Sequence, residues 1–244
     1  AMKDKYIDLI EQSFDFPQDE FSVEDNELPP PPLELDKHDA YICGYPDGTV
    51  KPERQITRAE VATIFYRLLQ DEARENVWSR TNSYSDVASG AWYNSAVSTL
   101  TNAGILTGYE DGTFRPDAPI TRAEFAAICC RFEQLTDGAA TFTDVPASHW
   151  AAKSISYAAK RGWVTGYADG TFKPGNNITR AEVAAVTCRL LERSADEAYI
   201  RAHLKEMPRV FADMNEQHWA YWYAMEASNG HDYTCLLYTS PSPR

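Results

Sequence analysis

The chain contains no apolar run of about 18 residues, the length at which a helix begins to span a bilayer, so membrane insertion is not expected. Its first residues, Ala1-Met2-Lys3-Asp4-Lys5, lead into no apolar secretion signal. That start leaves a cytosolic protein, or an interior piece of an exported one, as the expectation. Cysteine is scarce: five residues in 244, with no CxxC spacing, form neither a disulfide frame nor a metal site. Cys129 and Cys130 are adjacent, which rarely pairs, and Cys129 falls in helical register as a small core residue. Positive charge is also short. With 23 Lys and Arg against 36 Asp and Glu the net charge is −13, so no general basic surface holds nucleic acid by counterion release. An anionic ligand would have to be held locally, by a few placed cations. The histidines, His38, His149, His203, His218 and His231, form no zinc-protease pair, no nucleophile elbow and no triad. No catalytic residue, metal ligand or cofactor is expected.

What the chain does have is repetition. Ile56-Thr57-Arg58-Ala59-Glu60 recurs as Ile120-Thr121-Arg122-Ala123-Glu124 and as Ile178-Thr179-Arg180-Ala181-Glu182. Each copy follows a Gly-Tyr-x-Asp-Gly-Thr turn, at Gly44 to Thr49, Gly108 to Thr113 and Gly166 to Thr171. Both motifs step by 64 and then 58 residues, and locked periods of this kind mean a repeat architecture.

A full unit also has an opening half. Phe142-Thr143-Asp144-Val145 is followed by Trp150 six residues after the Asp, and Tyr84-Ser85-Asp86-Val87 by Trp92 at the same spacing. Phe211-Ala212-Asp213-Met214 and Trp219 repeat it once more, without a second half. The organisation expected is an acidic, proline-rich lead-in at 1–38 and a first unit at 39–72 with only its second half. Full units follow at 84–136 and 140–193, then a connection at 194–210 and a final opening half at 211–233. The four prolines from Pro29 to Pro32 favour an extended, semi-rigid spacer. Residues 234–244 continue no repeat; they resemble translated sequencing-adapter sequence, with a natural disordered tail as the alternative. Because the incomplete first and last units lack complementary halves, the two are expected to pack together.

Thr57-Arg58-Ala59-Glu60 is a capping box, and Val61, Ile64, Phe65, Leu68 and Leu69 follow at helical spacing. Three one-faced helices of this kind can bury their stripes against one another. Arg58, Arg122 and Arg180 stand out, because a cation in the first turn opposes the helix dipole at about 0.3–1 kcal/mol. Two readings stand for them: a salt bridge to a neighbouring acid, or a guanidinium fork beside free helix N–H groups, making an anion site. Asp47-Gly48, Asp111-Gly112 and Asp169-Gly170 mark tight turns and lack the alternating acids of a calcium loop. Trp92, Trp150 and Trp219 sit at helix starts, where buried area favours a core position and a sugar-stacking groove is the alternative.

The turn, the Ile-Thr-Arg-Ala-Glu box and the Phe-x-Asp-Val…Trp opening together resemble an S-layer homology array, over about residues 39 to 233. The resemblance implies an all-α, pseudo-threefold repeat array with a central bundle of capping-box helices and short turns between helices. It implies a non-catalytic wall anchor of exported bacterial proteins, located outside the cell in the wall or S-layer. The implied partner is a peptidoglycan-linked secondary polysaccharide, anionic and pyruvylated, with Arg58, Arg122 and Arg180 in the ligand groove; Trp92, Trp150 and Trp219, from their place at helix starts, are the further candidates for carbohydrate binding. A second expectation is a fragment of an extracellular hydrolase tethered by the repeats, and a third is a structural scaffold protein. The chain departs from the pattern where Met214 replaces Val and where unit one lacks its opening half.

Overall fold

Thr57, Thr121 and Thr179 each hold extended backbone and start a helix, because the side chain of each accepts from the N–H of the Glu three residues on. In return each Glu carboxylate accepts the Thr backbone N–H, completing the box in all three copies. These helices are α1 (Arg58–Leu68), α4 (Arg122–Cys130) and α6 (Arg180–Leu190) in a computed structural model of the chain. The structure describes residues 29–133, 135–136, 141–193, 195 and 197–230. The amphipathic and acidic stretches of the lead-in, and the tail from Cys235, lie outside the described residues. The other helices are α2 (Asp71–Val77), α3 (Asn94–Asn102), α5 (Ala152–Lys160), α7 (Glu197–His203) and α8 (Tyr221–Ser228). The fold is all-α, with no strand among the described residues.

The described residues form two units, one from 29–32 and Ile56–Ile178, the other from Leu33–Gln55 and the described residues of 179–230. In the first, α1 packs on α3 and α4 on α5. The expected stripes are what is buried: Val61, Ile64, Phe65 and Leu68 on α1, and Phe125, Ile128 and Cys129 on α4. Phe65 joins the two capping-box helices, 4.9 Å from Phe132 and 5.8 Å from Phe125 between ring centres. The isoleucines just ahead of the boxes close a ring of backbone bonds. Ile56 N–H donates to Ile178 (3.2 Å), Ile178 to Ile120 (3.0 Å) and Ile120 to Ile56 (3.2 Å). Three chain segments about 60 residues apart are thus tied by one bond each, which satisfies buried backbone groups that no helix reaches.

The second unit is made from the two ends of the array. α6 packs on α8, and the Gly44–Thr49 turn receives the final opening half. Asp213 accepts the backbone N–H of Val50 (2.9 Å) and Lys51 (2.7 Å). Asp86 does the same for Phe114 (2.8 Å) and Arg115 (2.7 Å), and Asp144 for Phe172 (2.8 Å) and Lys173 (2.7 Å), within the first unit. The orphan halves therefore complete one another through the same contact that joins the halves of the whole repeats.

Candidate functional site

Each Gly-Tyr-x-Asp-Gly-Thr segment is a closed turn. Tyr109 N–H donates to Thr113 O (2.8 Å) and Gly112 N–H to Tyr109 O (3.0 Å), while Asp111 Oδ1 accepts from the Thr113 N–H and hydroxyl at 3.0 and 2.5 Å. Gly112 sits at φ 73°, a left-handed conformation for which glycine is the default residue. The first glycine of the motif is needed for a different reason. A Cβ on Gly166 would lie 2.5 Å from a ring carbon of Phe142, and on Gly108 2.2 Å from Tyr84. The aromatic that opens each repeat lies directly on the turn.

The box arginines clamp this turn from beneath. Arg58 Nε donates to Phe114 O and Nη2 to Thr107 O, both at 2.8 Å, and Nη1 lies 3.5 Å from Glu124. Arg122 donates to Phe172 O (2.9 Å) and Thr165 O (3.1 Å), and Arg180 to Val50 O and Cys43 O (2.8 Å each). All three are buried, with 6–9% of their surface exposed. The salt-bridge reading holds at Arg58, through Glu124, and the anion-site reading needs amendment. The guanidinium is chiefly a backbone clamp, and the helix N–H groups beside it are not free. Arg58 N–H donates to Ala118 O (3.0 Å) and Ala59 N–H to Pro116 O (2.9 Å), with equivalent bonds at Arg122, Ala123, Arg180 and Ala181. Carbonyls from the neighbouring turn take the place an anion would need.

The tryptophans lie on the outside. Trp92 is 66% exposed, Trp150 40% and Trp219 56%, so the core position favoured from residue type does not hold and the rings face solvent. The preceding residue explains how they are held: Nδ1 of His149 and His218 accepts the N–H of Ala151 and Ala220 (3.1 and 3.2 Å), and each imidazole stacks on its Trp. In the second repeat Trp92 packs edge-on against Tyr93 instead.

One set of residues escaped the sequence reading. Lys51, Arg115 and Lys173 lie over the rings of Tyr45, Tyr109 and Tyr167 at 4.3, 3.9 and 4.0 Å from the centroids. The buried arginines approach the same rings, Arg180, Arg58 and Arg122 at 5.0, 4.9 and 5.0 Å. The signal was present, since positions 51, 115 and 173 step by the same 64 and 58 residues. Burial pushes the Cys130 and Cys188 thiols up to about 12, which leaves both as inert core groups. No group of His, Cys, Asp and Glu among the described residues could hold a metal ion.

A helical repeat whose recurring surface chemistry is exposed indoles and turn-held cations has the features of a binding module. The chain carries an S-layer homology array: residues 38–62, 83–126 and 141–184 match the S-layer homology domain. Such domains generally mediate non-catalytic binding to cell-wall components, and a cell-wall or S-layer location is consistent with them. Among similar proteins, cell surface glycoprotein 1 of Acetivibrio thermocellus is 39% identical over 81% of this chain and 9% of its own length. The cellulosome-anchoring protein of the same organism is 36% identical over 81% of this chain and 44% of its own. An amylopullulanase of Thermoanaerobacterium thermosulfurigenes is 40% identical over 64% of this chain and 8% of its own. The chain thus spans less than half the length of each of these relatives.

Proposed function

We propose that the array anchors its parent protein to the bacterial wall by binding an anionic, pyruvylated secondary polysaccharide linked to peptidoglycan. The observation that carries this reading is the exposure of Trp92, Trp150 and Trp219 at one repeated position. An indole costs free energy in water, and three equivalent ones held out by their neighbours suit stacking on sugar rings. The overall charge of −13 repels an acidic polymer at long range, so affinity must come from these short contacts and from local cations. Arg58, Arg122 and Arg180 contribute as the cationic floor beneath each turn tyrosine. The parent protein is a surface or anchoring protein of the kind the glycoprotein and cellulosome-anchoring relatives are named for. The amylopullulanase match supports a second reading, in which the same array tethers a secreted hydrolase. The test is co-sedimentation with purified cell-wall sacculi before and after chemical removal of their secondary polymer. The wild-type chain should pellet only with intact walls, and the combined Trp92→Ala, Trp150→Ala, Trp219→Ala variant should stay in solution with an unchanged melting curve. Pelleting on stripped walls would reject the polymer as the partner.

A further inference from the structure

We propose that Lys51, Arg115 and Lys173 are the residues that contact the acidic group of the bound glycan, each making one carboxylate subsite with the tyrosine beneath it. The inference rests on the wall-binding reading and says which side chains read the charge.

Three observations lead to it. The first is backbone conformation. These residues sit at φ 52°, 56° and 57°, each directly before a proline, where a side chain is disfavoured and glycine is the relaxed choice. All three copies carry a long cation there instead. Packing does not account for it, because the Lys51 and Arg115 side chains are 43% and 51% exposed. Strain kept at equivalent positions in three repeats, with no core to fill, points to a role for the side chain itself.

The second is how firmly each position is held. The N–H of each residue is fixed at 2.7 Å by a carboxylate of an opening half, Asp213 for Lys51, Asp86 for Arg115 and Asp144 for Lys173. Six residues after each of these acids comes the exposed tryptophan. The segment that holds the cation is therefore the one that carries the stacking ring. The tyrosine face below limits where the cation can go, so little side-chain freedom is left to lose on binding.

The third is availability. The box arginines have Nε on a buried carbonyl and Nη2 on a second backbone carbonyl, and moving Nε from its partner would leave that buried carbonyl unsatisfied. Besides the tyrosine faces, the turn cations are held by exposed polar contacts, Lys51 with Asp47 at 3.3 Å, and Arg115 with Asp111 at 2.8 Å and the Thr113 hydroxyl at 3.3 Å. Exposed pairs contribute little, so a ligand carboxylate can replace the aspartate at small cost. Each repeat thus has a buried cation that holds the turn and an exposed one that can change partner. The chemistry recognised is a carboxylate on a sugar, as a ketal or a uronic acid.

The experiment uses the full chain with sacculi and, separately, with wall polymer released from them, either intact or with its ketal groups removed by mild acid. Lys51→Gln, Arg115→Gln and Lys173→Gln combined should weaken binding by about tenfold or more and flatten its salt dependence. Glycine at the same three positions should abolish binding while leaving the melting temperature equal to wild type or higher, because the strain is relieved. Lys51→Arg with Lys173→Arg should retain binding. Loss of wild-type affinity on ketal removal assigns the ketal carboxylate, and retained affinity assigns the uronic acid. If the wild type pellets with intact walls and the glutamine variant pellets equally, the inference is wrong and the wall-binding reading stands. If glycine lowers the melting temperature, the cations are structural and the inference also fails. A wild type that does not pellet at all overturns both.

Discussion

Arg58 shows how one side chain can look like a ligand group and act as a fastener. Its two strong bonds end on carbonyls of Thr107 and Phe114, residues 49 and 56 positions away, so it joins a helix start to a distant turn. Alanine there leaves the Phe114 carbonyl, on a fully buried residue, without this donor, at about 1–3 kcal/mol, and removes the tie to the more exposed Thr107. Arg58→Ala should therefore shift the urea midpoint down by a large part of total stability, with Arg58→Lys recovering little because it lacks the planar fork. Its place at the helix start, unfavourable to the dipole, is offset by these carbonyl bonds. Asp111 supports a second prediction. The Thr113 hydroxyl, then Arg115 and the Thr113 N–H, hold its carboxyl down to about 2 from an ordinary 3.8. A lowered folded value means the stabilisation is complete above about 3.8 and is lost as pH falls through about 2. A carboxyl-carbon NMR titration should place the Asp111 midpoint near 2, and Thr113→Ala should raise it. A midpoint unmoved by Thr113→Ala would show that the hydroxyl bond is absent in solution.

At the scale of elements, the joint between turn and opening half is what makes a repeat a unit. The joint has two parts: an aromatic ring on the first turn glycine, and a carboxylate on two turn amides. In Gly166→Ala the new methyl would meet Phe142 at 2.5 Å and Thr171 O at 2.8 Å, so the ring must leave the turn. The substitution should cost about 1–3 kcal/mol, as overpacking does. Gly90→Ala is the control, since no atom lies within 4 Å of its Cβ, and should be close to neutral. Equal denaturation midpoints for the two variants would refute the joint. The helices were legible from sequence, because a capping box and an i, i+3, i+4 stripe are local and every part lies within a few turns. Helix pairing was not. α1 packs on α3, α4 on α5 and α6 on α8, so each capping-box helix takes the opening helix of the following repeat rather than of its own. Nothing in the spacing of one unit says which neighbour will cover its apolar face.

On the scale of the molecule, the second unit depends on its last segment. The second unit contains a turn from near the start, α6, α7 and the opening half from Phe211, which supplies α8. Deleting residues 205–244 removes Asp213 from the amides of Val50 and Lys51, Phe211 from Gly44, and the partner of α6. The melting temperature should fall by many degrees in differential scanning calorimetry. An identical thermogram for the deletion would show that the orphan halves do not depend on one another.

The sequence by itself determined the number of repeats, the three capped helices, the Asp-Gly turns and the absence of a general basic surface. Each of these follows from contacts within a few residues or from composition alone. The tertiary structure decided which arginine atoms are occupied, which tryptophans are wet, and that Lys51, Arg115 and Lys173 are forced into left-handed backbone over a tyrosine. The physical reason is distance along the chain. Arg58 and Trp92 are ambiguous by residue type, and their burial depends on carbonyls and helices tens of residues away. A side chain's exposure is set only when those segments arrive.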